Sequence, residues 1–462
     1  MTRSEAVRQD TPAAAHPSFS VLRSFKLGAF HIGSSMTDVL LSGIWNRVMI
    51  ADLGMAAWPV SLLLAARYFL APLAIWAGHE SDTHPLFGSR RTAYIWLGRL
   101  IMLLALPLLP LSVGLIAQGD ARLGWLLALI SLLLYGTGTS VSGAPFLALV
   151  HDSAPYERRG QAVSIVQFML VVSFAFIPVI FARIMPHYDQ ALFWRLVILS
   201  MVGATFFWVA SIWGEERRAR RLGTLPSPAL PESRPPALRA TLSEIWANQH
   251  SRRYALFLGA SAFFAFMQDA VLEPFGGDVF GLSVGETTRF NAYWGTGVLL
   301  SMAVTYGLTR RRRPDQQVSV TAWGLLLLAL PLLLLGVAAW RESLAMVVPT
   351  LLFFGVGFGV FTVGGVSLLM AVNSAERAAS YLALWSVIQL VSRGLGIAAG
   401  GLIRDLVNSL SGQVALAYAA VFAVEAIGLV ACIWLLRQVD IRGFVAESQP
   451  DTLAQSLIPS LE

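Results

Sequence analysis

The 462-residue sequence has little charge and almost no cysteine. Only 13% of its residues are Asp, Glu, Lys or Arg, whereas ordinary soluble domains carry about 25%. Hydrophobic residues make up 56%, so too few polar side chains exist to cover several soluble domains. The single cysteine, Cys432, excludes an internal disulfide framework. This composition excludes a soluble multidomain protein and indicates an integral membrane protein.

The common signatures of nucleotide binding and covalent catalysis are also missing. The sequence has no P-loop Gly-Lys-Ser/Thr, no nucleophile elbow and no dinucleotide-binding glycine fingerprint after a strand. No pair of its seven histidines has the spacing of a structural zinc site. We therefore predict that the protein is not an enzyme.

Long apolar stretches predict twelve membrane-spanning helices. A helix needs about 20 mostly apolar residues to cross the hydrocarbon core. The approximate limits are 27–50, 57–78, 93–117, 123–149, 161–184, 193–213, 253–275, 288–309, 318–340, 345–371, 380–402 and 413–437. The first and seventh stretches are much more polar than the others, and their neighbours support them as spans.

A polar segment divides these spans into two groups of six. It contains the run GEERRARR followed by a proline-rich stretch, and both features predict a solvated linker. The predicted organisation is an N-terminal tail, a six-helix half, the linker, a second six-helix half and a C-terminal tail. Their limits are 1–26, 27–213, 214–252, 253–437 and 438–462.

The distribution of basic residues predicts the orientation in the membrane. If both termini are cytoplasmic, 23 of the 33 Lys and Arg fall in cytoplasmic segments and seven on the opposite side. This bias is a positive-inside signal, and it predicts a multi-pass protein of the cytoplasmic (inner or intracytoplasmic) membrane. The excess of basic residues behind the formal charge of +6 is thus explained by the orientation of the protein in the membrane. We expect no nucleic-acid partner, because no soluble basic module is present.

An internal repeat indicates how the two halves are related. With a shift of 221 positions, Tyr135–Ala154 aligns with Val356–Ala375, and three glycines, a leucine and a Ser-Ala pair coincide. Two six-helix halves related as parallel repeats are typical of the major facilitator architecture. The predicted fold is therefore an all-α integral membrane bundle of twelve helices in two pseudo-symmetric halves.

Two predicted spans carry the most prominent polar side chains inside the membrane. In the first span, polar residues recur every three or four positions and lie along one helix face. These residues are His31, Ser35, Asp38, Ser42 and Asn46. The seventh span, its counterpart in the second half, carries Gln268, Asp269 and Glu273. Because ionisable groups in a span usually mark function, we predict a substrate site between these two helices. A packed polar interface between the halves is the alternative.

His31 is the one histidine that lies clearly within a predicted span. Imidazole is a good axial ligand for the metal of a tetrapyrrole. His31 is therefore a candidate axial ligand of a tetrapyrrole magnesium. The alternative is a hydrogen-bonded residue at a helix interface.

Two short loops on the predicted cytoplasmic side indicate a structural latch. They follow the second and the fourth span. The candidate latch residues are Asp82, Arg90, Arg91, Asp152, Arg158 and Arg159. A carboxylate can cap a helix end, and the arginines can pair with carboxylates of the neighbouring helix bundle. The alternative is that these charges only set orientation.

Three sequence blocks, taken together, are specific enough to indicate a family. They are SGIWNRVMIADLGMAAWPVSLLLAARYFLAP (Ser42–Pro72), SDTHPLFGSRRTAYIWLG (Ser81–Gly98) and MQDAVLEPFGGDVFGLSVGETTRFNAYWGTG (Met267–Gly297). They resemble the PucC-type proteins, also called the bacteriochlorophyll delivery family of the major facilitator superfamily. The resemblance covers most of the twelve-helix core.

The resemblance implies a membrane assembly factor of phototrophs that binds (bacterio)chlorophyll or delivers it to nascent light-harvesting antenna polypeptides. Pigment-synthesis enzymes and membrane lipids are further candidate partners. The residues that match family motif positions are Asn46, Arg47, Gln268, Asp269, Glu273, Gly276 and Gly277. Several lie at the predicted periplasmic ends of the first and seventh spans, where we expect a gate or a polar clamp on pigment carbonyl groups.

Two other functions are compatible with the sequence. A proton-coupled transporter of a small solute would use Asp38, Asp269 and Glu273 to take up protons. A scaffold that docks antenna helices without binding pigment would need none of these groups.

Overall fold

The computed structural model describes residues 19–221, 243, 246–309, 314–372 and 378–439. The predicted tails (apart from a few residues next to the bundle) and most of the proline-rich linker segment lie outside the described residues. Within the described ranges the chain is almost entirely helical, and the only β pairing is an isolated bridge between Leu86 and Ser89.

The first half contains six helical spans. Helix α1 covers residues 21–52 in four segments, Val21–Gly28, Phe30–Val39, Leu40–Trp45 and Val48–Asp52. The others are α2 (Ala57–Thr83), α3 (Thr92–Ala117), α4 (Ala121–Asp152), α5 (Arg159–Ile184) and α6 (Gln190–Ile212). A short linker helix, Glu215–Arg221, follows α6.

The second half repeats this order. Helix α7 covers residues 249–280 in three segments, Gln249–Ala265, Met267–Ala270 and Leu272–Phe280. The others are α8 (Val284–Thr309), α9 (Pro314–Trp340), α10 (Leu344–Val372), α11 (Ala378–Ser411) and α12 (Val414–Arg437). Every predicted span therefore coincides with a helix.

Most of these helices meet the length and composition needed to cross a membrane. Among the described residues nine do so individually, and α7, which bends by 41°, forms a tenth. The remaining two, α1 and α8, are more polar, and they pack inside the bundle rather than standing apart from it. The prediction of a multi-pass helical membrane protein is confirmed.

Each half packs around a hydrophobic core of its own. The first core is built from side chains between residues 27 and 212, with only Ala270, Val284 and Ile397 joining from the second half. The second core is built from side chains between residues 254 and 439. Large apolar side chains such as Leu104, Phe206 and Trp434 point outwards, as expected for a surface that faces lipid.

Glycines of the internal repeat lie where helices make close contact. In α4, Gly136 lies against Arg67 of α2, and Gly138 lies against Gly98 of α3. In α10, Gly357 lies against α9 and Gly359 against α8. A side chain at these four positions would collide with a neighbouring helix. In both halves the two glycines let the fourth helix approach the second and third, although aligned glycines contact different helices of that pair.

We call the end of the bundle that carries the linker helix the linker end, and the opposite end the distal end. At the linker end, Arg91 forms ion pairs with Asp82 and with Asp152, the latter at 3.3 Å. Arg90 Nη2 donates to the backbone oxygen of Asp82 at 2.8 Å. These residues thus join the linker-end termini of α2, α3 and α4 within the first half.

One of the other two candidate latch residues, Arg158, lies outside this cluster. The exposed side chain of Arg158 donates to Gln161 at 3.0 Å, three residues further along the chain. Arg159 is the first residue of α5. The structure therefore places Asp82, Arg90, Arg91 and Asp152 together and Arg158 apart from them.

The linker helix supplies latch carboxylates that the sequence did not indicate. Glu216 accepts the backbone N–H groups of Arg90, Arg91 and Thr92 at 2.6, 3.2 and 2.9 Å, which caps the start of α3. Glu215 pairs with Arg23 at 2.5 Å and with Lys26 at 2.8 Å.

The prediction of a solvated linker therefore fails for Glu215 and Glu216, whereas Arg217, Arg218, Arg220 and Arg221 are exposed. Glu215 is 2% exposed and Glu216 is 5% exposed, because their carboxylates satisfy backbone N–H groups and arginines at the ends of α1 and α3. The sequence could not indicate this burial, because the groups at the ends of α1 and α3 that pair with Glu215 and Glu216 lie more than 120 positions away along the chain.

We expect Glu216→Gln to destabilise the protein. The substitution replaces an acceptor of three backbone N–H groups by an amide whose NH₂ group opposes them, and charged hydrogen bonds contribute about 1.5–3 kcal/mol each. The measurement is the thermal unfolding of the detergent-purified protein. Glu157→Gln, at an exposed position, is the matched control. Equal melting temperatures for the two variants would contradict this role of Glu216.

Candidate binding site

The first helix of each half is irregular where its polar residues lie. Helix α1 changes from α-helix to wider π-helical turns at Leu40–Trp45 and again at Val48–Asp52. Helix α7 is interrupted by the tight 3₁₀ turn Met267–Ala270 and bends there. π-bulges and broken spans are common at functional sites, because they free backbone groups and redirect side chains inside a protein-lined space.

The two irregular helices meet through Asn46. Its side chain is buried and its Nδ2 donates to the backbone oxygen of Ala270 at 3.0 Å. Ala270 ends the 3₁₀ turn of α7. A predicted site residue of the first half therefore satisfies the broken backbone of the second half.

Two ion pairs hold the acidic residues of the site. Asp38 pairs with Arg67 of α2 at 2.6 Å, and Asp269 pairs with Arg393 of α11 at 2.7 Å. Asp38 is 28% exposed and Asp269 is 20% exposed, so both carboxylates border open space rather than packed core. Each half thus contributes one Asp–Arg pair, and together the pairs are electrically neutral.

Tyr68 connects the two ion pairs. Its hydroxyl accepts a hydrogen bond from Arg67 Nη2 at 2.9 Å, and the guanidinium of Arg393 lies 4.9 Å from the centre of its ring. Arg393 also lies over the ring of Phe266, at 4.0 Å. Asp38, Arg67, Tyr68, Arg393 and Asp269 therefore form one network across the two halves, which we call the central network.

Glu273 and Gln268 form a second polar group on α7. Glu273 Oε1 accepts from Asn291 of α8 at 2.5 Å, and Gln268 Nε2 donates to Asp269 at 3.3 Å. Glu273 Oε2, Gln268 Oε1 and Asn46 Oδ1 are buried and have no partner among the described residues. Buried acceptors are normally satisfied, so these three oxygens are available to a hydrogen-bond donor.

Arg47 lies at the distal end and seals it. Its Nη1 pairs with Asp52 at 2.8 Å, and its Nη2 donates to the backbone oxygen of Leu282, between α7 and α8, at 2.8 Å. Its guanidinium occupies the space beside Gly277, where any side chain would collide with it. Arg47 and Glu273 thus have different partners, and the gate or clamp expected of them stays a prediction.

Further contacts join the halves at this end. The backbone N–H of Trp58 donates to Asp405 at 2.7 Å, and that of Gly285 donates to the Pro186 oxygen at 3.1 Å. A cavity of about 690 Å³ opens beside Trp58 and is lined in part by Asp278, Arg404 and Asp405. Arg404 pairs with both of these aspartates, so one guanidinium bridges two carboxylates at this cavity.

His31 lies about two helical turns from Asp38 towards the linker end. Its ring meets the rings of Phe146 and Phe30 edge-on, with centroids 5.4 and 5.9 Å apart. Neither ring nitrogen has a hydrogen bond to another described residue. One nitrogen of a neutral imidazole carries a free lone pair, so His31 fits the requirement for an axial metal ligand in an aromatic environment.

Several residues of the site could not be identified from the sequence. Arg67 and Arg393 are basic residues within predicted spans, which is a signal of function, but their partners lie 29 and 124 positions away. Tyr68 and Asn291 carry no charge, and nothing in the sequence pattern marked them as site residues. Glu425 of α12 was also missed, and its carboxylate is fully buried with neither oxygen hydrogen-bonded to a described residue.

We expect the pairing of Asp269 with Arg393 to be visible in a double-mutant cycle. Asp269→Asn or Arg393→Met alone leaves one charge without its partner, which costs about 3–5 kcal/mol for buried pairs and less for this half-buried one. The double variant should therefore unfold at a higher temperature than the less stable single variant. Additive losses in thermal unfolding would contradict the pairing.

Solved structures with similar folds are transporters. A POT family transporter in complex with a thioalcohol-conjugated peptide aligns with a TM-score of 0.67 over 90% of this chain and 96% of its own, at 13% sequence identity. At this identity the similarity concerns the fold alone. It confirms the predicted major-facilitator-type bundle.

Curated relatives are similar along most of the chain. "Uncharacterized protein in puhA-bchM intergenic region" of Rhodobacter capsulatus is 31% identical over 85% of this chain and 82% of its own length. "Protein PucC" of Rhodovulum sulfidophilum is 29% identical over 87% and 88%. "Bacteriochlorophyll synthase 44.5 kDa chain" of Rhodobacter capsulatus is 29% identical over 88% and 92%.

A model of one protein family also matches this sequence. The match runs from residue 44 to residue 444. It includes Arg67, Asp269, Arg393 and all six helices of the second half, whereas Asp38 lies before its start. It agrees with the resemblance of the three sequence blocks, and the chain belongs to the PUCC protein family.

Proposed function

We propose that this protein binds (bacterio)chlorophyll, or a related magnesium tetrapyrrole, inside its bundle and delivers it to nascent light-harvesting antenna polypeptides. It acts as an assembly factor in the cytoplasmic or intracytoplasmic membrane, with both termini cytoplasmic, and it is not an enzyme. The observation that carries the proposal is the placement of His31, an imidazole beside two aromatic rings and without a hydrogen bond to another described residue, in a chain of the PUCC family.

The residues of the site suit a large, mostly apolar cargo with a few polar groups. When bound, a magnesium tetrapyrrole supplies a metal with an open axial position and a flat apolar ring. His31 would hold the metal, and Phe146 would pack beside it. The central network pairs Asp38 and Asp269 with arginines, so that neither of these two carboxylates meets an apolar cargo as an unpaired charge.

The names of the relatives support this class of cargo. One relative is named as a bacteriochlorophyll synthase chain and others as protein PucC. The described residues contain no group of three or more His, Cys, Asp or Glu that could hold a bare metal ion. A tetrapyrrole metal needs a single axial ligand from the protein, which His31 can provide.

Proton-coupled transport of a small solute is the second candidate. The observation that favours it is Glu425, whose buried carboxylate lacks a hydrogen-bond partner among the described residues, together with the transporter fold. Buried carboxylates in spans often relay protons. Asp38 and Asp269 are less suited to this role than their sequence suggests, because each is held by an arginine.

We expect the gently purified protein, from cells that synthesise pigment, to show a tetrapyrrole absorption band. His31→Phe should reduce the bound pigment about tenfold, which corresponds to about 1.4 kcal/mol of lost ligation, since phenylalanine keeps the packing against Phe146 but has no nitrogen. His187→Phe, at an exposed position of the loop before α6, is the matched control and should keep the band. The measurement is the ratio of pigment to protein.

The outcomes separate the candidates. A colourless protein that co-purifies with antenna polypeptides would favour the pigment-free scaffold. A colourless protein that drives solute uptake into vesicles, dependent on a pH gradient and on Glu425, would favour the transporter. An unchanged band in His31→Phe would remove His31 from the site.

A further inference from the structure

Arg99 is a buried cation that the proposed function has not used. It lies in α3 and is 4% exposed. Its guanidinium carbon lies 4.3 Å from the ring centre of Phe30 and 4.8 Å from that of Trp208. Helices α1, α3 and α6 therefore enclose it inside the first half.

No carboxylate among the described residues pairs with Arg99. Its Nη1 contacts the sulfur of Met102 at 3.1 Å, and its buried Nε has no partner. Six other arginines of the bundle differ in this respect, since each forms an ion pair with aspartate or glutamate. They are Arg23, Arg47, Arg67, Arg91, Arg393 and Arg404.

The surroundings of Arg99 do not compensate for this missing anion. Cation–π contacts offset only part of the cost of removing a guanidinium from water. A thioether is a weak acceptor, and it occupies one of five N–H groups. The Tyr135 hydroxyl already shares a 3.0 Å hydrogen bond with Thr37, and His31 carries no negative charge. An anion from outside the protein would complete the site.

Arg99 lies close to His31, the residue proposed to hold the cargo, because both contact the same phenylalanine. Phe30 contacts both the guanidinium of Arg99 and the ring of His31. A ligand whose metal is held by His31 and whose edge carries a carboxylate could therefore engage both residues. Arginine suits this task because its planar fork matches a carboxylate in two parallel hydrogen bonds.

We propose that Arg99 binds a carboxylate of the cargo, so that the protein selects a magnesium tetrapyrrole with a free carboxylate over its ester. This inference rests on the proposed binding of a magnesium tetrapyrrole and refines the order of steps: the pigment is bound as a free acid, and its esterification comes before its transfer to antenna polypeptides. The long alkyl ester of a mature chlorophyll lacks this charge, so the favoured cargo is the free acid that precedes esterification. The protein then acts before a reaction that esterifies the ring carboxylate, or alongside it.

The test compares two probes that differ only in this charge. Bacteriochlorophyllide a and its methyl ester are titrated into the full-length detergent-purified protein, and binding is followed by the pigment absorption and by tryptophan quenching. The wild type should bind the acid at least tenfold more tightly than the ester. Arg99→Met should bind both with affinities within about twofold of the wild-type affinity for the ester.

Further variants separate ligand binding from structure. Arg195→Met, at an exposed position of α6, is the matched control and should keep the tenfold preference. Arg99→Lys keeps the charge without the fork and should retain a reduced preference. Arg99→Met should unfold at or above the wild-type temperature in the absence of pigment, because it removes an unpaired buried charge.

Each contrary result overturns a defined statement. Equal wild-type affinities for acid and ester would overturn the carboxylate site and leave the proposed function in place. Binding of neither probe would overturn both. A lower unfolding temperature of Arg99→Met, with weaker binding of the ester as well, would show that Arg99 supports the fold instead of the cargo.

Discussion

A charged side chain inside a membrane-spanning bundle needs a partner, and this constraint organises the interior of the protein. Asp38 and Asp269 lie on the first helix of each half, and each is held by an arginine from another helix. Tyr68 lies between the two arginines and joins the pairs into one network. Because the network spans both halves and stays electrically neutral, it ties the halves together without closing the interior to an apolar molecule.

The irregular turns of α1 and α7 are a second source of polar groups inside the bundle. A regular helix satisfies its own backbone and offers few polar groups to a ligand. The π-helical turns of α1 and the 3₁₀ turn of α7 release backbone groups, and Asn46 satisfies one of them across the interface. The halves are thereby coupled through the segments that also carry the buried, unpaired oxygens of Gln268 and Glu273.

The two ends of the bundle are built differently. At the distal end, Arg47 and the contact between Trp58 and Asp405 join one half to the other. At the linker end, the latch of Arg91, Asp152 and Glu216 joins helices within the first half and anchors the linker helix to them. The contacts between the halves named above therefore lie at the distal end and in the central network.

The sequence by itself determined the composition class, the twelve spans, the division into halves, the family blocks and the polar faces that carry His31, Asp38, Asn46, Asp269 and Glu273. These features depend on hydropathy and on spacing along one helix, and both can be read locally. The polar faces of α1 and α7 were predicted to meet, and Asn46 and Ala270 confirm that they do.

Only the tertiary structure decided which charges are paired. The partner of Asp269 lies 124 positions away, and the burial of Glu215 and Glu216 depends on helix ends far along the chain. A span that is apolar on all sides does not encode which of its faces packs against which neighbour. Arg67, Arg99 and Arg393 are therefore alike in the sequence, as single arginines in apolar helices. The rotation and packing of those helices give Arg67 and Arg393 a carboxylate and leave Arg99 among aromatic rings.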